Sequence, residues 1–224
     1  MEAARDIVRL EAFRALRAKL EATQVGAARP VARECVATGL PQLDGETGGL
    51  RKGAVSEFSG STGQGSLFLS VLLDLVAREG WHLALIDAAD QFEPADWDAT
   101  LLRRVLWVRC HEARKALRAA DLLLRDGNLP LIVLDLQGVP VGQLKRIPAN
   151  VWHRFQRVVE SSGVAMVVLS RWPMVEGARV RIESEGRLGL DAMRVKRREL
   201  AVRMPLRVRQ KSVAAWSPAE RRIA

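Results

Sequence analysis

The sequence contains few residues of the types that bind metals or form disulfides. It has two cysteines, Cys35 and Cys110, and three histidines among 224 residues. The cysteines lie far apart, with no CxxC motif and no nearby histidine cluster, so neither a metal site nor a disulfide is expected. We expect both thiols to be reduced and no cofactor to be bound through them.

Long apolar runs are also missing. No segment approaches the ~20 consecutive apolar residues that a membrane-spanning helix requires, although 48% of the residues are hydrophobic. The first residues, MEAARDIVRLEAF, include acidic side chains and lack the compact apolar core of a secretion signal. The sequence therefore predicts a cytoplasmic protein with no membrane partner, and its length suits one full-sized domain.

The first thirty residues have the pattern of a separate helix. RDIVRLEAFRALRAKLEAT places apolar residues at three- and four-residue steps, which predicts an amphipathic helix. Gly26 and Pro30 interrupt the pattern, so residues 1–30 are predicted to be a helix and a linker. The helix either packs on its own domain or forms an interface, through Leu10, Phe13, Leu16 and Leu20.

Residues 31–205 alternate short apolar strands with helical stretches. WHLALIDA, LPLIVLDL and VAMVVLS are predicted strands, and EARKALRAADLLLRDG and VWHRFQRVVESSG are predicted helices. This alternation predicts an α/β fold with a mostly parallel sheet flanked by helices. After Arg171, ARVRIESEGRL, MRVKRREL and MPLRVRQKS alternate polar and apolar residues, which predicts antiparallel edge strands. Residues 206–224 are predicted to form a basic C-terminal tail.

A glycine-rich segment, FSGSTGQGSL, separates a predicted strand from a predicted helix. Gly60 and Gly65 have the spacing of a phosphate-binding loop, and Gly63 lies between them. In such a loop the next two residues are a lysine, which reaches the phosphates, and a serine or threonine, which holds magnesium. Here these positions are Ser66 and Leu67, which can do neither.

Three strings, in order, resemble the core of RecA and, more narrowly, the ImuA and SulA proteins of the bacterial damage response. They are TGLPQLDGETGGLRKGAVSEFSG, REGWHLALIDA and LIVLDL, and the resemblance spans roughly residues 36–205. It implies a RecA-like core in which Asp135 ends the Walker B strand. The glutamate that positions water in RecA-like ATPases corresponds to Ala89, with Asp90 one residue further on.

The resemblance therefore implies a nucleotide loop without its chemistry. Lysine, magnesium ligand and catalytic base are all replaced, at Ser66, Leu67 and Ala89, and phosphoryl transfer depends on these charges. We expect a protein that is not an enzyme. The alternative is an unusual NTPase that works through Ser61, Thr62, Ser66 or a residue of a neighbouring molecule.

An ImuA-like function would be that of an adaptor in SOS-induced error-prone translesion DNA synthesis. The family resemblance implies an ImuB-like partner, RecA as a further partner, and indirect contact with an error-prone DnaE-type polymerase and the sliding clamp. One alternative is a SulA-like cell-division inhibitor that binds FtsZ. Another is a basic accessory protein that binds DNA weakly.

The basic C-terminal region is the predicted partner or DNA surface. Residues 171–224 carry 14 Lys and Arg against 6 Asp and Glu, in a chain with a formal charge of +9. A solvated edge strand that discourages pairing is the competing explanation. Two connections, with Lys145 and Arg146 in one and Arg171 and Trp172 in the other, could touch phosphate and stack a base. The alternative, which we favour, is that Trp172 and Pro173 pack a tight turn. The residues chosen for the C-terminal surface are Arg194, Lys196, Arg197, Arg198, Arg207, Arg209, Lys211 and Trp216.

Overall fold

The computed structural model of the chain describes residues 35–186 and 188–210. The predicted N-terminal helix with Leu10, Phe13, Leu16 and Leu20 lies outside these residues, as do Lys211 and Trp216. The strands are β1 Cys35–Val36, β2 Leu50–Arg51, β3 Ala54–Ser59, β4 Leu83–Asp87, β5 Val105–Arg109, β6 Leu131–Asp135, β7 Ala165–Ser170, β8 Val180–Ser184 and β9 Leu206–Gln210. The α-helices are α1 Pro41–Thr47, α2 Thr62–Glu79, α3 Ala99–Leu102, α4 Ala113–Asp126, α5 Val141–Leu144, α6 Ala149–Ser162 and α7 Arg197–Arg203.

Seven strands form one sheet in the order β5-β4-β6-β7-β3-β8-β9. Every neighbouring pair is parallel except β8 and β9, which are antiparallel. β1 and β2 form a separate antiparallel pair. The predicted α/β fold with a mostly parallel sheet is confirmed.

The edge of the sheet contains fewer antiparallel strands than we predicted from the alternation of polar and apolar residues. β8 runs parallel to β3, so β9 alone is antiparallel within the large sheet. MRVKRREL, predicted as a strand, contributes to a 3-10 helix, Leu190–Arg194, and to α7. Ala201 and Met204 of this region are buried three residues apart, a helical spacing that the short period-two pattern concealed.

The central strands are apolar because both faces of the sheet are covered. In β6, Leu131 and Val133 belong to the same buried cluster as the apolar residues of α2, whereas Ile132 and Leu134 point to the opposite face. α4 and α6 contact the sheet outside that cluster. The ring of Phe58 in β3 stacks on that of Phe68 in α2 at 4.5 Å, which joins the strand to the helix that follows it. No helix in the described ranges is long and apolar enough to cross a membrane.

The segment before β3 is folded by one carboxylate. Asp44 Oδ1 accepts hydrogen bonds from the backbone N–H and the hydroxyl of Thr38, at 2.8 and 2.7 Å. Its Oδ2 accepts the N–H of Gly39 at 2.8 Å. The Thr-Gly and Leu-Asp pairs of this segment are therefore bound to each other, which folds the chain back before α1.

Two adjacent glycines end α1 for different reasons. Gly48 has a φ of 75° and caps the helix in the left-handed region, where glycine has no steric penalty. A Cβ on Gly49 would lie 2.1 Å from the carbonyl oxygen of Val36, so a side chain cannot fit where β2 meets β1. The Gly-Gly pair is thus required by the turn into the small sheet.

Replacing Asp44 with alanine should destabilise the fold. The change leaves three donors without their acceptor, and hydrogen bonds to charged groups contribute about 1.5–3 kcal/mol each in favourable cases. We expect the free energy of unfolding to fall by about 2–3 kcal/mol, measured by urea denaturation. Glu46→Ala, at an exposed position of the same helix, is the control and should change it by less than about 0.5 kcal/mol. Equal effects would show that Asp44 does not hold this segment.

Candidate functional site

The glycine segment lies at the carboxyl end of β3, between β7 and β8, which is where parallel sheets bind ligands. Helix α2 begins at Thr62, inside the glycine segment that was predicted to precede it, with Ser61 as its N-cap. Gly63 and Gly65 are therefore helical, and neither they nor Gly60 has a positive φ. At Gly60 and Gly65 the reason for glycine is close packing, because an added Cβ would lie 3.0 Å from Gln64 Oε1 and 1.8 Å from Gln137 Oε1.

Gln137 fills the space beneath the segment. Its side chain is 1% exposed, and its Nε2 donates to the carbonyl oxygens of Gly60, Ser61 and Ser170 at 3.0, 3.1 and 3.3 Å. A Cβ on Gly65 would lie 1.8 Å from Gln137 Oε1. Gly65 is thus glycine because a glutamine amide occupies the crevice.

A second glutamine closes the segment on itself. Gln64 Oε1 accepts the N–H of Ser61 at 2.8 Å, which satisfies one of the donors that a helix N-terminus leaves free. Its Nε2 donates to the carbonyl oxygen of Gly186 at 3.1 Å, in the connection that follows β8. The side chain is 3% exposed, so it too is part of the packed interior.

The two altered motif positions lie in different environments. Ser66 is exposed on the first turns of α2, and a hydroxyl there adds no positive charge. Leu67 is 6% exposed and belongs to the core cluster, so its side chain stabilises the fold at the position that the motif reserves for a magnesium ligand.

Asp87 and Asp135 end neighbouring strands and are paired in register. Asp87 accepts the N–H groups of Gln91 and Phe92, at 3.1 and 2.8 Å, and shapes the loop after β4. Asp135 Oδ1 accepts the N–H of Gln137 at 2.9 Å. The pKa of Asp135 is raised to about 6, because burial and the neighbouring charge of Asp87 raise it by more than the Gln137 N–H lowers it.

Ala89, at the position that corresponds to the catalytic glutamate, packs against Gly138. The Cβ of Ala89 and the amide of Gln91 lie against Gly138, where an added Cβ would come within 2.6 and 2.2 Å of them. Asp90, with a φ of 55°, directs its carboxylate to Arg109, whose Nε and Nη2 donate to it at 2.7 Å each. This ion pair lowers the pKa of Asp90 and holds its side chain at the β5 edge of the sheet.

The described residues of the predicted basic surface fall into two groups. Arg207 and Arg209 project from β9 opposite to Leu206 and Val208, which pack on the core, and they lie 2.8 and 3.8 Å from Glu185 and Glu183. The second group lies in and before α7, on the core side of the sheet. There the guanidinium of Arg197 lies 4.4 Å from the ring centroid of Trp97 and Arg198 lies 3.9 Å from Asp74, while Arg194 and Lys196 are exposed.

Cysteine and metal chemistry have no visible site in the described part of the chain. Cys35 and Cys110 form no disulfide, and burial raises the pKa of the Cys110 thiol, which disfavours the reactive thiolate. Over the same residues, no group of three or more His, Cys, Asp or Glu side chains is placed to hold a metal ion. Comparison with protein-family models and with curated proteins found no match to this chain.

Substitutions at Gly63 and Gly65 test the packing of the segment. Gly65→Ala should lower the free energy of unfolding by about 1–3 kcal/mol, because its methyl group displaces Gln137 from three buried carbonyls. Gly63→Ala is the matched control: only Leu188 Cδ1, at 3.7 Å, would touch its Cβ, and alanine favours a helix by up to about 1 kcal/mol. Urea denaturation should therefore show opposite signs, and equal effects would contradict the packed crevice.

The raised pKa of Asp135 predicts a pH-dependent stability. The folded state holds this proton up to about pH 6, whereas the unfolded chain releases it near its usual value of about 4. The Asp135 contribution to stability should therefore fall as pH rises between these values, and Asp135→Asn should be about 1–3 kcal/mol more stable than the parent at pH 7.5. Denaturation at pH 4 and 7.5 measures it. A difference that does not grow with pH would contradict the burial of this charge.

Proposed function

We propose that the chain is a non-catalytic adaptor with a RecA-like core that acts in SOS-induced error-prone translesion DNA synthesis. The placement of the resembling strings supports the RecA-like part of this proposal. The glycine segment follows β3, the Ile-Asp-Ala string ends β4 and the Leu-Asp-Leu string ends β6, all in one parallel sheet. The carboxyl ends of these three strands lie at the same edge of the sheet, which is where sheets of this kind bind nucleotides.

The observation that carries the non-catalytic part is the closed crevice. Three N–H groups of the segment, those of Gly60, Ser61 and Gly65, already donate to acceptors within the protein. The side chain of Gln137 occupies the crevice beneath them, and Leu67 belongs to the core. Phosphate binding by such a segment needs free N–H groups and a cation, and phosphoryl transfer needs both in fixed positions. A site whose backbone is bound internally is better suited to hold the fold together than to bind ATP.

An adaptor needs surfaces that bind partners. The basic edge, by which we mean the basic residues of β9 and those in and before α7, offers two such surfaces. The arginines of β9 and those at the start of α7 project from opposite sides of the sheet, so they can contact different molecules. We assign the ImuB-like partner to this edge, with RecA as a further partner. An error-prone DnaE-type polymerase and the sliding clamp would be reached through the ImuB-like protein.

Capture by the immobilised full-length chain tests the function. An ImuB-like protein from the same cell should be retained, and Arg207→Glu with Arg209→Glu, or Arg194→Glu with Arg198→Glu, should reduce retention at least about tenfold for the group that binds. Arg114→Glu with Arg118→Glu, at exposed positions of α4 over β4 and β6, is the matched control and should not reduce it. Retention of FtsZ without the ImuB-like protein would contradict the proposal and favour a division inhibitor. Retention of DNA alone, lost steeply with salt, would favour the DNA-binding alternative.

A further inference from the structure

A buried glutamate lies in the middle of the central strand β3. Glu57 is 1% exposed, and burial raises its pKa. Its Oε2 has no hydrogen-bond partner, and its nearest cation is Arg181, with 3.7 Å between Oε2 and Nη1. A charge in this position is costly, and an apolar side chain of similar size is often as stable or more so. Packing of the sheet therefore does not explain the glutamate.

What Glu57 binds is the connection between β7 and β8. Its Oε1 accepts the backbone N–H groups of Met174 and Val175 at 2.6 and 2.9 Å. Arg181 donates from Nη2 to the carbonyl oxygen of Val175 at 2.7 Å, so both members of the ion pair bind Val175. The connection contains no helix or strand, and this pair fixes its path.

The fixed connection forms one wall of a surface pocket. Trp172 and Met174 line this wall, and Ile147 and Trp152 also line the pocket, which has a volume of about 180 Å³. A cavity of about 150 Å³ accommodates benzene, so this pocket has room for one large apolar side chain. Trp172 is half-buried, and its ring contributes to the pocket rather than only filling a turn.

The charged side chains that line the pocket are Lys145 and Glu176, and two arginines are adjacent in sequence to lining residues. Lys145 lines it and Arg146 is adjacent in sequence; both are exposed, and neither has a carboxylate partner within residues 35–186 and 188–210. Arg171, next to Trp172, donates from Nε to the carbonyl oxygen of Gln137 and is otherwise exposed. Glu176 also lines the pocket and lies 3.7 Å from His153. A ligand that matches these charges is acidic at the lysine side.

The chain itself is a poor source of that ligand. Residues 1–34 carry seven basic and five acidic side chains, and residues 211–224 carry three and one. The whole chain has a formal charge of +9, so a second copy also brings excess positive charge. Charge complementarity therefore favours an acidic segment of another protein.

We propose that this pocket binds an acidic peptide segment of a partner protein, whose apolar side chain enters beside Trp172 and Met174 and whose carboxylates meet Lys145 and Arg146. Glu57 is a positioning residue for this site, because it holds the wall that carries Trp172 and Met174 without touching the ligand. The site is separate from the basic edge, and it does not depend on the identity of the adaptor's partner.

Fluorescence anisotropy with a labelled peptide tests the site on the full chain. The probe is a short peptide in which aspartates flank a central Leu-Phe pair, compared with the same peptide bearing lysines. The acidic probe should bind saturably and the basic one should not. Trp172→Ala, and Lys145→Ala with Arg146→Ala, should each raise the Kd about tenfold or more. Arg207→Ala with Arg209→Ala, the matched basic pair on β9, should change it by less than about twofold.

Two substitutions separate positioning from folding. Glu57→Gln keeps an oxygen acceptor for the two N–H groups and should retain the parent Kd within about threefold. Glu57→Leu removes the acceptor and should raise the Kd about tenfold, measured under conditions in which urea denaturation shows both variants to be fully folded. A loss of binding that merely follows a loss of stability would overturn the positioning role.

Several results would overturn the site itself. These are absence of acidic-probe binding, binding unaffected by the Trp172 and Lys145 variants, and binding that is lost with Arg207 and Arg209 instead. Binding of oligothymidine with the same variant dependence, without binding of the peptide, would assign the pocket to nucleic acid. Because no ImuB-like protein takes part, the adaptor proposal can fail while this site stands, and the reverse.

Discussion

Three backbone carbonyls converge at the carboxyl end of the sheet, and the side-chain amide of Gln137 lies within 3.3 Å of all of them. These carbonyls belong to the glycine segment after β3 and to the end of β7, while Gln137 itself follows β6. Its own carbonyl oxygen accepts from Arg171, which begins the connection to β8. One buried residue thus joins the ends of three strands, and Gly65 is small because that residue is there.

Much of the fold follows from sequence patterns, because buried strands and amphipathic helices differ in period and composition. The start of α2 could not be predicted from the sequence, because Gly63 and Gly65 lower the helix propensity of its first turn. Tertiary packing compensates for this in the folded protein. The role of Gln137 was equally invisible: a polar residue after a strand usually signals solvent, and only the fold brings the three carbonyls to it. Glu57 could have been identified from the sequence, because it is a charged residue inside an otherwise apolar strand. It is not part of the glycine motif.

The segment with the most basic residues is also one in which several positive charges are paired within the protein. The C-terminal region is the most basic, yet Arg207 and Arg209 face glutamates of β8 and its following loop, and Arg197 stacks on an indole ring. Exposed ion pairs contribute little to stability, but they reduce the charge available to a ligand. Lys145 and Arg146 lie in a short connection that is not rich in basic residues. Their position beside the pocket is visible only in the structure, because a count of charges along the sequence does not single them out.

The side chain of Gln137 fills the crevice below the glycine segment, and we expect it to remain there in solution. The most direct measurement is the side-chain amide resonance of Gln137 in a ¹⁵N correlation spectrum, recorded with and without excess magnesium and ATP. The account predicts amide protons that exchange slowly with solvent and a resonance that nucleotide does not move. Rapid exchange, or a saturable shift on adding ATP, would show that the crevice opens and would contradict the account.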